Sequence, residues 1–449
     1  MEVEINKSIP YKPSVENFPL DFMTPDQRRH GGIVSHFLIA LYMFGALTLV
    51  CDKYFIPSLE SITHKFKVRS DVAGATFMAA GGSAAELFIC IVGVFVAKND
   101  IGPGPVVGSA AFNLLFVVGL CGLFAGSVLR LSRWSLLRDS FCYLLSIGAL
   151  VAIIFDGKVY WYEALLLVCM YLFYVVIMYH NQTIEEFFFN KLTKVTEKTS
   201  QRSSDVEKNE EDDEKTKLLS NEKEGKNLRQ DEKHLLVTEP QIQVQINQND
   251  ESPFSFPEGT FQRFLWLMKL PVQCLMFLTI PDCRTDRWEK WYFVTFIMSL
   301  IWIGLFSYIL VWMVTIIGFT LGISDVIMGL TFLAAGGSVS DGISSLIVAR
   351  QGDGDMAVGN VFGSNLFDIL LCLGLPWFFK TSLIDSGSHV NVEDGHVIYT
   401  LLFLLAGVIL AILSIKLNKW CLSKFLGLFF LVFFATFVTV AVLCEFYLR

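Results

Sequence analysis

The chain has 449 residues, of which 53% are hydrophobic, 40 are Phe and only 17% are charged, with a formal net charge of −8. A soluble protein of this length carries nearer a quarter charged residues, so composition excludes an ordinary soluble globular fold and points to a polytopic α-helical membrane protein. Ten cysteines are scattered, none in a CxxC pair, which excludes a disulfide scaffold and a zinc-finger site.

Residues 1–32 are polar and contain no apolar stretch of signal-peptide type, so the first apolar span is expected to direct insertion. Ten spans follow, near 33–55, 71–96, 105–127, 136–155, 158–179, 290–318, 323–349, 356–379, 397–415 and 422–446. Five lie in a first half, 33–179, and five in a second, 290–449. Between them, 180–289 reads as a mostly disordered cytoplasmic loop with the acidic run Glu210-Glu211-Asp212-Asp213-Glu214. Within it, 261–281 is apolar and broken by Pro271, which predicts an interfacial segment or a short helix against the membrane.

Basic residues set the orientation. One set of short loops holds Lys53, Lys65, Lys67, Arg69, Arg130, Arg133, Arg138, Arg350, Lys416, Lys419 and Lys424, and the other only Lys98, Lys158 and Lys380. The first set is expected in the cytoplasm, with both termini outside. Residues 1–32 then form an extracellular segment, and Asn6-Lys7-Ser8 is an exposed glycosylation sequon of a glycoprotein.

The two halves repeat. Adding 255 to a position in 71–115 gives its partner in 326–370. Ala79-Ala80-Gly81-Gly82-Ser83 meets Ala334-Ala335-Gly336-Gly337-Ser338, and Glu86 meets Asp341. At the same offset Gly108-Ser109 meets Gly363-Ser364, and Asn113 meets Asp368. Because each half has five spans, the second enters the bilayer in the opposite sense. The expected fold is therefore all-α, with ten transmembrane helices arranged as two inverted-topology five-helix repeats whose motifs meet near the midplane.

Glu86, Asp341 and Asp368 lie inside apolar spans, where a carboxylate costs about 2.5–3.5 kcal/mol on insertion scales. No Lys or Arg stands at similar depth in those spans, so bound cations are the natural partners. Ser83 and Glu86 are three apart, as are Ser338 and Asp341; Ser109 and Asn113 are four apart, as are Ser364 and Asp368. Each helix thus offers a hydroxyl and a carboxylate or amide on one stripe. These hard oxygen donors suit calcium, sodium or potassium. Asn365 is a further candidate on the same helix. The Gly-Gly pairs at 81–82 and 336–337 predict local unwinding that turns the carbonyls of Ala79, Ala80, Ala334 and Ala335 toward the ions. The small residues Gly74, Thr76 and Gly108 read better as helix packing.

Gly352-Asp353-Gly354-Asp355 fits the GxGD of intramembrane aspartyl proteases, but it falls in a short loop and the chain has no Tyr-Asp dipeptide. No enzyme activity is expected.

The two motifs, followed by Gly-Ser-Ala-Ala-Phe-Asn and Gly-Ser-Asn-Leu-Phe-Asp, resemble the alpha repeats of cation/calcium exchangers, more narrowly those of the potassium-dependent sodium/calcium exchangers. The likeness extends to Asp71-Val72-Ala73-Gly74-Ala75-Thr76-Phe77-Met78, Ile280-Pro281-Asp282-Cys283, Arg287-Trp288-Glu289-Lys290 and Asp355-Met356-Ala357-Val358. It implies an antiporter in which calcium and potassium leave as sodium enters, with these ions as cargo and no cofactor. It further implies an integral protein of the plasma membrane or an organelle membrane, whose partners are inorganic cations and the bilayer and not nucleic acid. By the same resemblance, Glu86 and Asp341 hold calcium and Asp368 underlies potassium dependence. Serines of the family's repeats match Ser83, Ser109, Ser338 and Ser364.

Two departures stand out. Gly82 and Gly337 replace hydroxyl residues of the family's motifs, and Ala85 and Ser340 replace prolines. They raise the expectation of weakened sodium coupling. An exchanger of changed selectivity, potassium-independent or proton-coupled, and a non-transporting protein with a degenerate site are the alternatives.

Overall fold

The computed structural model describes residues 14–65, 79–97, 103–181, 183–186, 259–285, 287–385, 387–392 and 395–448. The sequon at Asn6, the positions Gly74 and Thr76, and the acidic run at 210–214 lie outside them. The chain divides into two units, Met1–Tyr179 with Lys269–Arg449 and His180–Met268.

Helix α1 is Pro25–Leu59. Its first turn is opened by a capping box between Thr24 and Gln27 with Pro25 at the first helical position, and a kink at His30 and Gly31 (φ +107°) separates that turn from the regular helix, which runs from Ile33 as predicted. Helix α2 is in two pieces, Ala79–Gly82 and Ala84–Ala97. Next come α3 (Pro103–Phe124), α4 (Arg133–Ile154) and α5 (Trp161–Tyr179). Helix α6 is Thr260–Thr279 and runs through Pro271, where the sequence suggested a break. Its second half packs: Val272 and Met276 are buried. Helix α7 is Glu289–Leu321. It ends on Gly322 at φ +72°, whose N–H bonds the Gly318 carbonyl, and Ser324 then caps α8 through its hydroxyl. Helix α8 is the pair Asp325–Gly337 and Asp341–Arg350, bent by 45°. Helices α9 (Gly354–Ile384), α10 (Gly395–Leu417) and α11 (Lys424–Leu448) complete the chain.

Among the described residues eight helices are long and apolar enough to cross a bilayer, and the bent α8 makes a ninth. The predicted span 71–96 is described only from Ala79, so the count of ten reaches beyond the described residues.

Two short antiparallel ladders tie the halves together. Leu129–Arg130, between α3 and α4, pairs with Cys421–Leu422, between α10 and α11. Lys158–Val159, between α4 and α5, pairs with Val390–Asn391, between α9 and α10. Each ladder joins loops that must lie on one side of the membrane. Repeats inserted in the same sense would put the members of each pair on opposite sides, so the ladders require the inversion.

The apolar interior forms two cores. One is built by α3, α4, α5, α9, α10 and α11 around Tyr143, Leu150 and Trp377. The other is built by α1 and α7 with part of α6. The motif helices lie between them: Cys90 of α2 and Leu330 of α8 belong to the first core, Ile89 and Leu333 to the second.

Candidate cation site

Both motif helices break at the residue after the glycine pair. Ser83 has φ −94° and ψ 16°, and Ser338 has φ −85° and ψ 1°. The glycines are themselves helical, so the local unwinding expected at Gly-Gly is displaced onto the serines. The Ala334 carbonyl accepts the Ser338 N–H at 3.1 Å, which leaves its second lone pair. Ala79 begins the described part of α2. The glycines serve a different purpose, close approach. A β-carbon on Gly82 would stand 2.9 Å from Oδ1 of Asp341, and one on Gly337 would stand 2.8 Å from Oε1 of Glu86. Each acid thus reaches across the repeat interface and rests on the bare backbone of the other motif.

The partner helices α3 and α9 carry a matched feature. Each contains a widened turn with i→i+5 hydrogen bonding, one at Phe112–Val117 and one at Asp368–Cys372. Such turns are frequent at functional sites. They hold the repeat-related pair Asn113 and Asp368.

The side chains converge as follows. Ser109 Oγ donates to Asp368 Oδ2 at 3.3 Å and Asn113 Nδ2 to Asp341 Oδ2 at 3.5 Å. Asn113 Nδ2 also donates to Asn365 Oδ1 at 3.3 Å, and Asn365 Nδ2 donates to the Ala110 carbonyl at 3.3 Å and the Tyr143 hydroxyl at 3.5 Å. Ser364 lies beside Asp341 and donates to the Val361 carbonyl at 3.2 Å. Ser83 lies beside Asp368 but forms no hydrogen bond that meets ordinary geometry. Glu86 is within electrostatic reach of both Asp341 and Asp368.

All of these groups are buried: Asp368, Ser83, Ser109, Asn113, Ser338 and Asn365 are fully so, and Glu86 and Asp341 are at most 5% exposed. Burial without partners is expensive for polar groups and more so for charges. Yet both Glu86 oxygens, the Ser83 and Ser338 hydroxyls and Asn113 Oδ1 have no hydrogen-bond partner among the described residues. No ion pair to the three acids is present among the described residues. Nor do three His, Cys, Asp or Glu side chains there close on one point as a finished metal cluster. The donors are chiefly hydroxyl, amide and carboxylate oxygens around a shared space, suited to hard cations that come and go.

The structure places Glu86, Asp341, Asp368, Ser83, Ser109, Asn113, Ser364 and Asn365 near one another, and Ser338 is buried at the break of α8. Sequence spacing did not signal Tyr143, whose hydroxyl meets Asn365 from α4, or Cys372, whose thiol donates to Asp368 Oδ1 at 3.6 Å. Both lie outside the matched stretches 71–115 and 326–370.

Comparison with known proteins agrees with the architecture. The profile of the sodium/calcium exchanger protein family matches residues 36–180 and 291–443. Sodium/potassium/calcium exchanger 5 of Homo sapiens is 42% identical over 453 residues, covering 96% of this chain and 87% of the relative. Sodium/potassium/calcium exchanger 4 of Mus musculus is 38% identical over 528 residues, covering 97% of this chain and 85% of the relative. The crystal structure of the H+/Ca2+ exchanger CAX superposes with a TM-score of 0.52 at 12% identity, covering 92% of this chain and 87% of that one, which shows a shared fold.

Proposed function

The chain belongs to the sodium/calcium exchanger protein family, and on that premise we propose that it is a secondary active antiporter that exports calcium together with potassium in exchange for sodium. The observation that carries this reading is the set of three buried acids, drawn from both repeats and left without a basic partner among the described residues. With its acids ionised, such a site is stable only when cations fill it. Sodium on one hand, and calcium with potassium on the other, therefore compete for the same oxygens. That competition, with the site open to one side at a time, is antiport.

Glu86 and Asp341 hold calcium, each from its own repeat. Asp368 holds potassium, with Ser109 orienting one of its oxygens. Ser83, Ser338, Ser364, Asn113 and Asn365, with the carbonyls of Ala79 and Ala334, complete the oxygen shell. The division into two cores supports alternating access. Helices α1 and α7 form one body, and they shift along the face of α2 and α8 to expose the acids to each side. Antiport needs no covalent step, and the protein is not an enzyme.

Residues 1–32 lie outside the cell and 180–289 form the cytoplasmic loop between the repeats 33–179 and 290–449. The protein is integral to the membrane, and its place is the plasma membrane. The test is calcium-45 uptake into sodium-loaded cells with and without external potassium, beside an Asp341→Ala control. Uptake that needs internal sodium and external potassium and vanishes in the control is expected; uptake indifferent to potassium would overturn the coupling.

A further inference from the structure

Asp368 and Cys372 open and close the widened turn of α9, so their side chains stand on one face. Cys372 Sγ lies 3.6 Å from Asp368 Oδ1 and 3.9 Å from the carbonyl oxygen of Ser83. That carbonyl sits at the break of α2. The Ser83 hydroxyl beside it is fully buried and has no hydrogen-bond partner among the described residues, and the same holds for both oxygens of the nearly buried Glu86. Cys90, one turn beyond Glu86, is buried as well.

These separations fit a metal. Around a tetrahedral zinc, a sulfur at about 2.3 Å and an oxygen at about 2.1 Å stand roughly 3.6 Å apart. The Cys372–Asp368 pair already has that spacing, and the Ser83 carbonyl is a few tenths of an ångström wider. Thiolate ligands select borderline and soft ions over calcium, sodium and potassium.

We propose that Cys372 Sγ, one oxygen of Asp368 and the carbonyl of Ser83 form a mixed sulfur–oxygen site for a divalent cation of the zinc and cadmium class, set in the wall of the cation cavity. Binding replaces the thiol proton: Cys372 S–H and M2+ give the S–M bond and a proton released to water. Because the ion occupies Asp368, it blocks antiport, a consequence that rests on the function proposed above. The site itself does not rest on that function, so it is tested without flux.

The full-length protein in detergent is titrated with cobalt(II). A thiolate-to-cobalt charge-transfer band that zinc displaces and calcium does not is expected in the wild type. Cys372→Ser should lose the band and bind zinc-65 at least tenfold more weakly. Cys372→Ala repeats the comparison with a side chain suited to the apolar wall, should serine there impair folding. No band in the wild type, or a band and zinc affinity unchanged in either variant, would overturn the assignment.

Discussion

Glu86 of the first repeat rests against Gly337 of the second, so close that a β-carbon on Gly337 would stand 2.8 Å from Oε1. Asp341 and Gly82 repeat the arrangement at 2.9 Å. The atom in the way is in each case the tip of a flexible side chain, which can retreat by a few tenths of an ångström. Substitution should thus change the ion site and spare the fold. Gly337→Ala is expected to express normally but to raise the calcium concentration for half-maximal uptake several-fold, because it moves Glu86 and adds no ligand. The Gly82→Ser, Gly337→Ser double variant adds two hydroxyls and is expected to lower the half-saturating sodium concentration. A double variant with unchanged sodium dependence would show that the glycines do not set sodium coupling.

Asp368 and Asn113 are repeat partners, and each lies in a widened turn, of α9 and of α3. Only the first is charged, and it takes hydrogen bonds from Ser109 and Cys372. Asp368→Asn would give both repeats the same amide and remove one of three buried charges. Calcium uptake is expected to persist while its stimulation by potassium disappears. Loss of all uptake at normal surface expression would instead make Asp368 a calcium ligand.

Much of this site was legible in the sequence because a repeat compares the chain with itself. An acid kept at one offset in two apolar helices marks itself, as do the paired serines. What the repeat could not mark was whatever lay outside it. Cys372 and Tyr143 reach the site from positions beyond the matched stretches 71–115 and 326–370. Helix breaks were harder to place. Glycine propensity pointed to the Gly-Gly pairs, but packing holds those residues helical, and the chain turns at Ser83 and Ser338. Propensity also misjudged Pro271. A proline loses its N–H bond and crowds the carbonyl four residues before it, which kinks or breaks a helix unless packing holds both sides. Here Val272 and Met276 anchor the second half of α6 in the α1–α7 core.

Helix crossing should respond to glycine substitution very differently from the ion site. Gly108 of α3 abuts the backbone carbonyl of Leu330 and the β-carbon of Ala334, neither of which is a free side-chain tip. Gly108→Ala is expected to cost about 1–3 kcal/mol by overpacking and to lower yield and thermal midpoint in detergent. A β-carbon on Gly359 would meet nothing within 4 Å, so Gly359→Ala serves as the tolerant control. Equal thermal midpoints for the two variants would refute the close crossing of α3 and α8.

Inversion makes a covalent prediction. Arg130 and Cys421 face each other in the ladder that links the α3–α4 loop to the α10–α11 loop. Directly opposed residues of an antiparallel pair have Cα atoms about 4.5–5.5 Å apart, within the range of roughly 4.4–6.8 Å that a disulfide spans. Arg130→Cys should therefore cross-link to the native Cys421 under mild oxidation, and a protease cut in the loop between the repeats should then leave the two halves joined until reductant is added. The second ladder supplies the opposite face of the membrane. Lys158→Cys with Asn391→Cys should cross-link in the same way. If the basic loops are cytoplasmic, an impermeant maleimide added to intact cells should label Lys158→Cys and leave Arg130→Cys unlabelled. Cross-linking in neither pair would remove the ladders and with them the structural basis for inversion; cross-linking with labelling reversed would keep the fold and turn the protein over in the membrane.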